Sequence, residues 1–527
     1  MSNFQQRCAE IAERFLQTAV IVDDQARIDD SVRPPGPLTT PGRHTSARSR
    51  EETAQVETDE RHSLDARLLV DSFADRGLIC AVIAAKPDTA STETVARAAR
   101  RADIVVLDWQ LNGDSGERAL SILREILRID AGDRLRLIAI YTGEQDISGI
   151  GRTIAQKLKT QEREFELCDR EVALSLGHCR IVIYAKSKTS LTSDLKDRTI
   201  SEQDVPKRLI SDFAEMTTGL LPSVALTSLA AIRANAHKIL QKFHVGLDAA
   251  FLTHRACLPV PEDSQQHMVS QLASELHAIM DDAAATQNPA GIEAIKEWLV
   301  SSAGQNADFT FATDKRLSFE ETVALLEQGL DRKNGTLRKK DFGILTAGFA
   351  RTEDPMNELD HQLAWMINFR TVFSAPPPIL HLGTVVRKRE EASHSAFFMC
   401  MRPRCDSVRL QGDEPFLMLP LHPPSDKTIQ LVIRTGEGKY LRVSVCTSPS
   451  QWSLVKFAPK NIGGPVIAEP DETGGFFFIA ADRTQYEWLG ELKAEFAQRV
   501  AHRFASGLSR VAVDNSEWLR RMENLGD

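Results

Sequence analysis

At 527 residues the chain is longer than one hydrophobic core usually serves, so two to four domains are expected. Its 42% hydrophobic and 26% charged residues are ordinary for a soluble globular chain, and no stretch approaches the roughly 20 apolar residues that a membrane span needs. A formal charge of −9 argues against a globally basic nucleic-acid binder, and the 8 cysteines, scattered without an export signal, argue for reduced thiols over a disulfide framework.

The opening MSNFQQRCAEIAERFLQ carries an amphipathic helical pattern with acids in it and no basic-then-apolar leader, which gives a cytoplasmic expectation. AVIVDDQARI (19–28) then drives an apolar run into Asp23 and Asp24. Two adjacent like charges raise the cost of ionising both unless a cation or a donor sits between them. Residues 29–63, rich in Pro, Ser, Thr and charge, read as a disordered insertion. Beyond them Leu64, Leu68, Leu69 and Phe73 recur at helical spacing before Gly77, and LICAVIAA (78–85) reads as a buried strand.

The alternation continues with ETVARAARRA as a helix, DIVVLDWQL as a strand ending in Asp108, and SGERALSILREILRI as a helix capped by Ser115. LRLIAIYTG is a strand ending in Thr142, and RIVIYAKSK a strand ending near Lys186. Residues 145–178 between them hold extra, mostly charged sequence to which no element is assigned. Continuous apolar strands separated by helices predict a parallel sheet covered on both faces, a doubly wound α/β domain over residues 1–200.

From 201 to 375 the pattern is helical. Leu226, Leu229, Ile232, Ala236, Ile239 and Phe243 form one stripe, and Leu272, Leu276 and Ile279 another, as if both helices shared a core. Residues 376–482 turn to strands, SAFFMCM, PFLMLPL, TIQLVIRTGEGKYLRVSVC and GGFFFIAA, with Gly436 and Gly438 supplying a hairpin turn, and predict a small β-barrel or sandwich. QYEWLGELKAEFAQRVAHRFASGL and SEWLRRMENL read as C-terminal helices over 483–527.

In a parallel α/β sheet, ligands collect outside the carboxyl ends of the strands. Asp23 and Asp24, Asp108, Thr142 and Lys186 all sit at such ends, and converging carboxylates call for a hard divalent cation such as Mg²⁺. These residues, over 17–190, resemble the receiver domain of bacterial two-component response regulators. The likeness is closest in DWQLNGDSG, where Leu111 lies three after Asp108 and Gly116 eight after it, and in Gly143 directly after Thr142. The resemblance implies a flavodoxin-like fold with Asp108 as phosphoacceptor. It implies Mg²⁺ held by Asp23, Asp24, Asp108 and the backbone carbonyl of Gln110, with Thr142 and Lys186 on the phosphoryl oxygens. Receivers usually carry an aromatic residue three before the Lys and a Pro after it. Here those positions are Ile183 and Ser187, with Tyr184 one place late, and Lys188 is a weaker alternative to Lys186. The implied partners are a kinase or other phosphodonor and a protein that binds the output region, with a homodimer left open and a bacterial regulatory or antiviral defence system as the setting. No membrane partner is expected, and a nucleic-acid partner is not supported.

Other motifs weigh less. Gln110 stands where haloacid dehalogenase-like phosphatases need a second Asp, and Tyr440 follows Lys439 in RTGEGKY where a phosphate loop needs Ser or Thr. Cys400 and Cys405 near His394 fit no standard zinc spacing and read as buried structural cysteines. His237 reads as an ordinary helical histidine in place of a relay residue. The alternatives to a partner-binding output are a degenerate receiver acting as a scaffold and an enzyme with its site in the C-terminal β module.

Overall fold

The computed structural model describes residues 2–27, 63–84, 89–130, 134–160, 164–287, 289–304, 307–330, 336–351, 357–373, 376–389, 396–424, 429–435, 438–448, 451–472 and 474–508. The insertion expected over 29–63, His394, Gly436 and the terminal SEWLRRMENL lie, wholly or almost wholly, outside the described residues. The chain divides into two compact units, Met1–Asp308 with Ser318–Glu327, and Phe309–Leu317 with Gln328–Asp527. Among the described residues no helix is long and apolar enough to cross a membrane.

The first unit opens with α1 (Asn3–Phe15), started by a reciprocal capping box in which Ser2 Oγ accepts from the Gln5 N–H and Gln5 Oε1 from the Ser2 N–H. There follow β1 (Thr18–Val22), α2 (Ala66–Ala74), β2 (Ile79–Ile83), α3 (Thr89–Ala99), β3 (Ile104–Leu107), α4 (Glu117–Asp130), β4 (Arg136–Thr142), α5 (Ile147–Leu158), β5 (Glu166–Cys168), β6 (Ala173–Leu176), β7 (Cys179–Lys186) and α6 (Val205–Met216). The sheet order is β2-β1-β3-β4-β7-β6-β5, parallel as far as β7. Strand alternation divides the core. Val20, Val105, Leu107, Ile138, Ile140, Ile181 and Ile183 pack against α3, α4 and α5. Ile21, Val106, Tyr141, Val182 and Tyr184 pack against α1, α2 and α6. This is the doubly wound arrangement that the alternating pattern predicts.

One unassigned stretch takes form here, and two expectations need correction. The charged 145–178 stretch forms α5 and the β5–β6 hairpin, and β6 pairs antiparallel with the outer edge of β7. The two strands are short and are separated by the charged turn Asp169, Arg170 and Glu171, which hides the strand pattern in the sequence. LICAVIAA is the opposite edge strand, with Ile79 exposed, so its apolar run does not mean full burial. The side chain that caps α4 is Asp114, which accepts from the Gly116 and Arg118 N–H groups, whereas Ser115 sits at φ +55°.

The helical stretch after 200 does not start a separate body. Helix α6 covers the sheet, and α7 (Leu220–Lys242) is tied down by Arg233, whose Nη2 lies 3.0 Å from Asp103 Oδ1 and whose Nη1 donates to the Phe15 carbonyl. Helices α8 (Asp248–Cys257), α9 (Asp263–Gln287) and α10 (Ile292–Ala303) follow. Of the stripe on α7, Leu226 and Ile239 are buried, but Leu229 and Phe243 are exposed, as is Leu272 on α9. Helices α7 and α9 pack on each other without enclosing the shared core that the two stripes suggest.

In the second unit, α11 (Asn357–Asn368) precedes β8 (Thr384–Lys388), β9 (Ala396–Cys400), β10 (Glu414–His422), β11 (Ile429–Arg434), β12 (Tyr440–Val445), β13 (Ser453–Phe457), β14 (Phe476–Ile479), β15 (Gln485–Glu491) and α12 (Ala494–Leu508). Pairing runs β13-β10-β9-β8-β15-β14, and a bridge between Phe457 and Ala480 returns to β13 and closes a small barrel among the described residues. Val386, Cys400, Phe416, Met418, Phe457, Phe478 and Tyr486 fill it. Val385, Met399, Leu419 and Leu421 face outward with the β11–β12 hairpin under Phe496, Val500 and Phe504 of α12. QYEWLGE is therefore a strand, not the first turns of a helix. Pairing with both β8 and β14 overrides the helix propensity of its Glu and Leu residues. Of the two cysteines, Cys400 is buried, its thiol pushed up to about 12 by burial, while Cys405 is exposed, contrary to the buried-pair expectation.

Candidate functional site

Asp23 follows β1, Asp108 follows β3, Thr142 ends β4 and Lys186 ends β7. These strands are neighbours in parallel register, so the four side chains gather at the carboxyl edge of the sheet. Lys186 Nζ donates to Asp23 Oδ2 and to Asp108 Oδ2, each at 2.8 Å, and all three residues are buried. The donor that the adjacent acids require is thus supplied from far along the chain. The Gln25 N–H donates to Asp23 Oδ1 at 2.7 Å, and the Gln110 N–H to Asp108 Oδ1 at 3.2 Å.

Asp24 Oδ2 accepts from the Asn112 N–H at 2.9 Å, while its Oδ1 is buried without a hydrogen-bond partner. Oxygens of Asp23, Asp24 and Asp108 lie within 4.8 Å of one another. Three carboxylates against one ammonium leave a negative surplus made of hard oxygen donors, one of them unsatisfied. A small divalent cation such as Mg²⁺ fits this donor set.

The electrostatics follow from burial. Desolvation pushes the Asp23 carboxyl up to about 6; Lys186 opposes this and Asp108 adds to it. Burial pulls the Lys186 ammonium down, but Asp108 and Asp23 together outweigh it and leave its pKa raised, so the bridge carries its positive charge at neutral pH.

Thr142 is buried, and its Oγ1 accepts from the Glu144 N–H at 3.3 Å. Gly143 and Leu111 are buried too, and Lys188 is exposed away from the bridge, which leaves Lys186 as the basic group of the crevice. His237 is exposed on α7. Gly116 sits at φ +94°, and a Cβ there would fall inside the Trp109 indole. We expect Gly116→Ala to cost about 1–3 kcal/mol through strain and overpacking, read as a shift of the urea midpoint.

Two functional candidates, Glu144 and Tyr141, carried no distinctive sequence signal, and a third, Tyr184, stood out only as an aromatic one place late. Glu144 accepts from Gln110 Nε2 at 2.8 Å and tethers two loops of the crevice. Tyr141 lies under Lys186, with its ring centroid 6.0 Å from Nζ, and donates to the Ile200 carbonyl at 3.0 Å. Tyr184 donates to Asp212 Oδ2 at 2.6 Å, accepts from Arg208 Nε at 2.7 Å, and has the Arg198 and Arg208 guanidiniums 5.1 and 5.4 Å from its ring centroid. Burial pushes both tyrosine hydroxyls up, so they remain donors. The aromatic of β7 therefore faces α6, while Ile183, in the usual aromatic position, is locked under α5.

Residues 15–191 match the family model of the response receiver domain. Neither the curated proteins nor the solved structures compared with the chain give a match. With the sheet order, the acidic crevice and the lysine bridge all lying inside the matched segment, residues 15–191 are a response receiver domain.

Proposed function

We propose that this is a cytoplasmic phosphorylation-responsive signalling protein, in which Asp108 accepts a phosphoryl group from a kinase or a small phosphodonor and the rest of the chain binds a protein partner. The observation that carries the reading is the buried Lys186 bridge between Asp23 and Asp108 beside the unsatisfied Asp24 oxygen. An Asp108 carboxylate oxygen attacks phosphorus, the phosphorus–oxygen bond to the donor breaks, and the leaving group departs with the electron pair. Asp23, Asp24, Asp108 and the Gln110 carbonyl would hold Mg²⁺, which when bound neutralises charge on the phosphoryl oxygens. Lys186 then pairs with one phosphoryl oxygen and the Thr142 hydroxyl donates to another.

The route outward runs through Tyr141. Lys186 lies over its ring, its hydroxyl holds Ile200, and residues 199–200 pair with the end of β7 and lead into α6. Any shift of Lys186 toward a phosphoryl group is felt at that tether. Tyr141→Phe should keep phosphorylation while losing the change in amide exchange over 199–216 that beryllofluoride with Mg²⁺ produces in the wild type.

Labelling of the full chain by acetyl phosphate tests the main reading. Incorporation should require Mg²⁺ and vanish in Asp108→Asn; Mg²⁺-independent labelling, or labelling that survives the substitution, would overturn it. The scaffold reading draws on one observation, the aliphatic Ile183 where receivers place their aromatic, and it requires that Asp108→Asn leave partner binding unchanged.

A further inference from the structure

The second unit contains a cavity of about 640 Å³, within the usual size range for small-molecule sites. Its charged end is built around Glu491, the last residue of β15, which is buried. Arg370 Nε lies 2.8 Å from Glu491 Oε2, His381 Nε2 lies 3.3 Å from Oε1, and Arg404 pairs with the same oxygen. His381 Nδ1 is 2.9 Å from the Leu382 carbonyl, an acceptor, so Nδ1 carries a proton and the ring is held with Nε2 toward Glu491. One wall is aromatic: Phe476 and Trp488 meet edge to face with centroids 6.3 Å apart.

Here two guanidiniums share a single buried carboxylate, and both side chains are about half exposed toward the cavity. A guanidinium has five N–H donors, so most of their donor capacity remains for a ligand. Surplus positive charge beside a low-dielectric wall selects an anion, and planar rings beside guanidiniums select a flat partner. Phe476, Trp488 and Glu491 stand on paired strands, while Arg370, His381 and Arg404 reach Glu491 from the adjoining loops, the Arg370 N–H also donating to the Glu491 carbonyl at 2.9 Å.

We propose that this cavity binds a small anion carrying a planar ring, of the nucleoside phosphate class, with Arg370 and Arg404 on the phosphate and Trp488 and Phe476 against the base. The second unit is then a ligand-reading module. This does not depend on phosphorylation of Asp108, and it stands or falls separately.

The test is calorimetric titration of the full chain with the four ribonucleoside monophosphates, with adenosine alone and inorganic phosphate alone as comparisons. Saturable binding of at least one nucleotide is expected, tighter than either fragment, and weakened about tenfold or more by Arg404→Gln and by Trp488→Leu. Arg370→Gln, at a half-exposed position, keeps the test decisive if the Arg404 variant fails to fold. Absence of saturable heat for all four nucleotides would overturn the proposal. So would phosphate binding as tightly as the nucleotides, or folded arginine variants that bind like the wild type.

Discussion

Lys186→Met should destabilise the first unit by about 3–5 kcal/mol in the absence of divalent cations, because it leaves two buried carboxylates facing each other without their shared ammonium. The substitution keeps most of the side-chain volume, so little of the loss comes from a cavity. The cost is electrostatic: Asp23 and Asp108 are both almost fully removed from water, and the bridge holds them at 2.8 Å each. Urea unfolding with and without millimolar Mg²⁺ measures it. A cation bound by Asp23, Asp24 and Asp108 replaces part of the missing charge, so Mg²⁺ should restore more stability to the variant than it adds to the wild type. Equal stability of the two proteins without Mg²⁺ would mean that the bridge contributes nothing measurable.

Phe457→Ala should cost the second unit a similar amount, about 3–5 kcal/mol, by a different mechanism. Phe457 is fully buried, with its ring 5.5 Å from that of Phe416 and 5.6 Å from that of Tyr486, both close to edge to face. Truncation removes apolar burial and leaves a void where three rings meet. The same residue bridges to Ala480, the pairing that closes the barrel, so its loss also loosens the seam. Calorimetric melting should show the transition of the second unit lowered, while acetyl phosphate labelling at Asp108 persists. A variant that melts as the wild type does would show that the barrel interior is not the source of that unit's stability.

The acidic crevice was legible because a parallel sheet converts a local fact, a polar residue at the end of an apolar strand, into a spatial one. Asp23, Asp108, Thr142 and Lys186 each end a continuous apolar run, and parallel neighbours bring such ends to one edge. QYEWLGE was misread for the complementary reason. Its burial alternates only weakly, and what makes it a strand is pairing with β8 and β14, far from it in sequence or reached across a turn. The helical stripes failed similarly: periodicity marks Leu229 and Leu272 as apolar-face residues, yet it does not say how much of that face a neighbour covers.

The amino-acid sequence by itself determined the receiver's alternating strands and helices, its acidic residues and its lysine, since strand period, strand ends and the alternation of helix with strand are local properties, whereas the order of the strands in the sheet is a matter of tertiary pairing. Only the tertiary structure decided that Lys186 bridges Asp23 and Asp108, that Tyr184 turns toward α6, and that the β5–β6 hairpin covers the β7 edge. It alone assembled the charged cavity from Arg370, His381, Arg404 and Glu491. Those arrangements depend on side chains brought together by chain closure over long sequence separations, and no short-range pattern records which distant partner completes a charge or covers an edge.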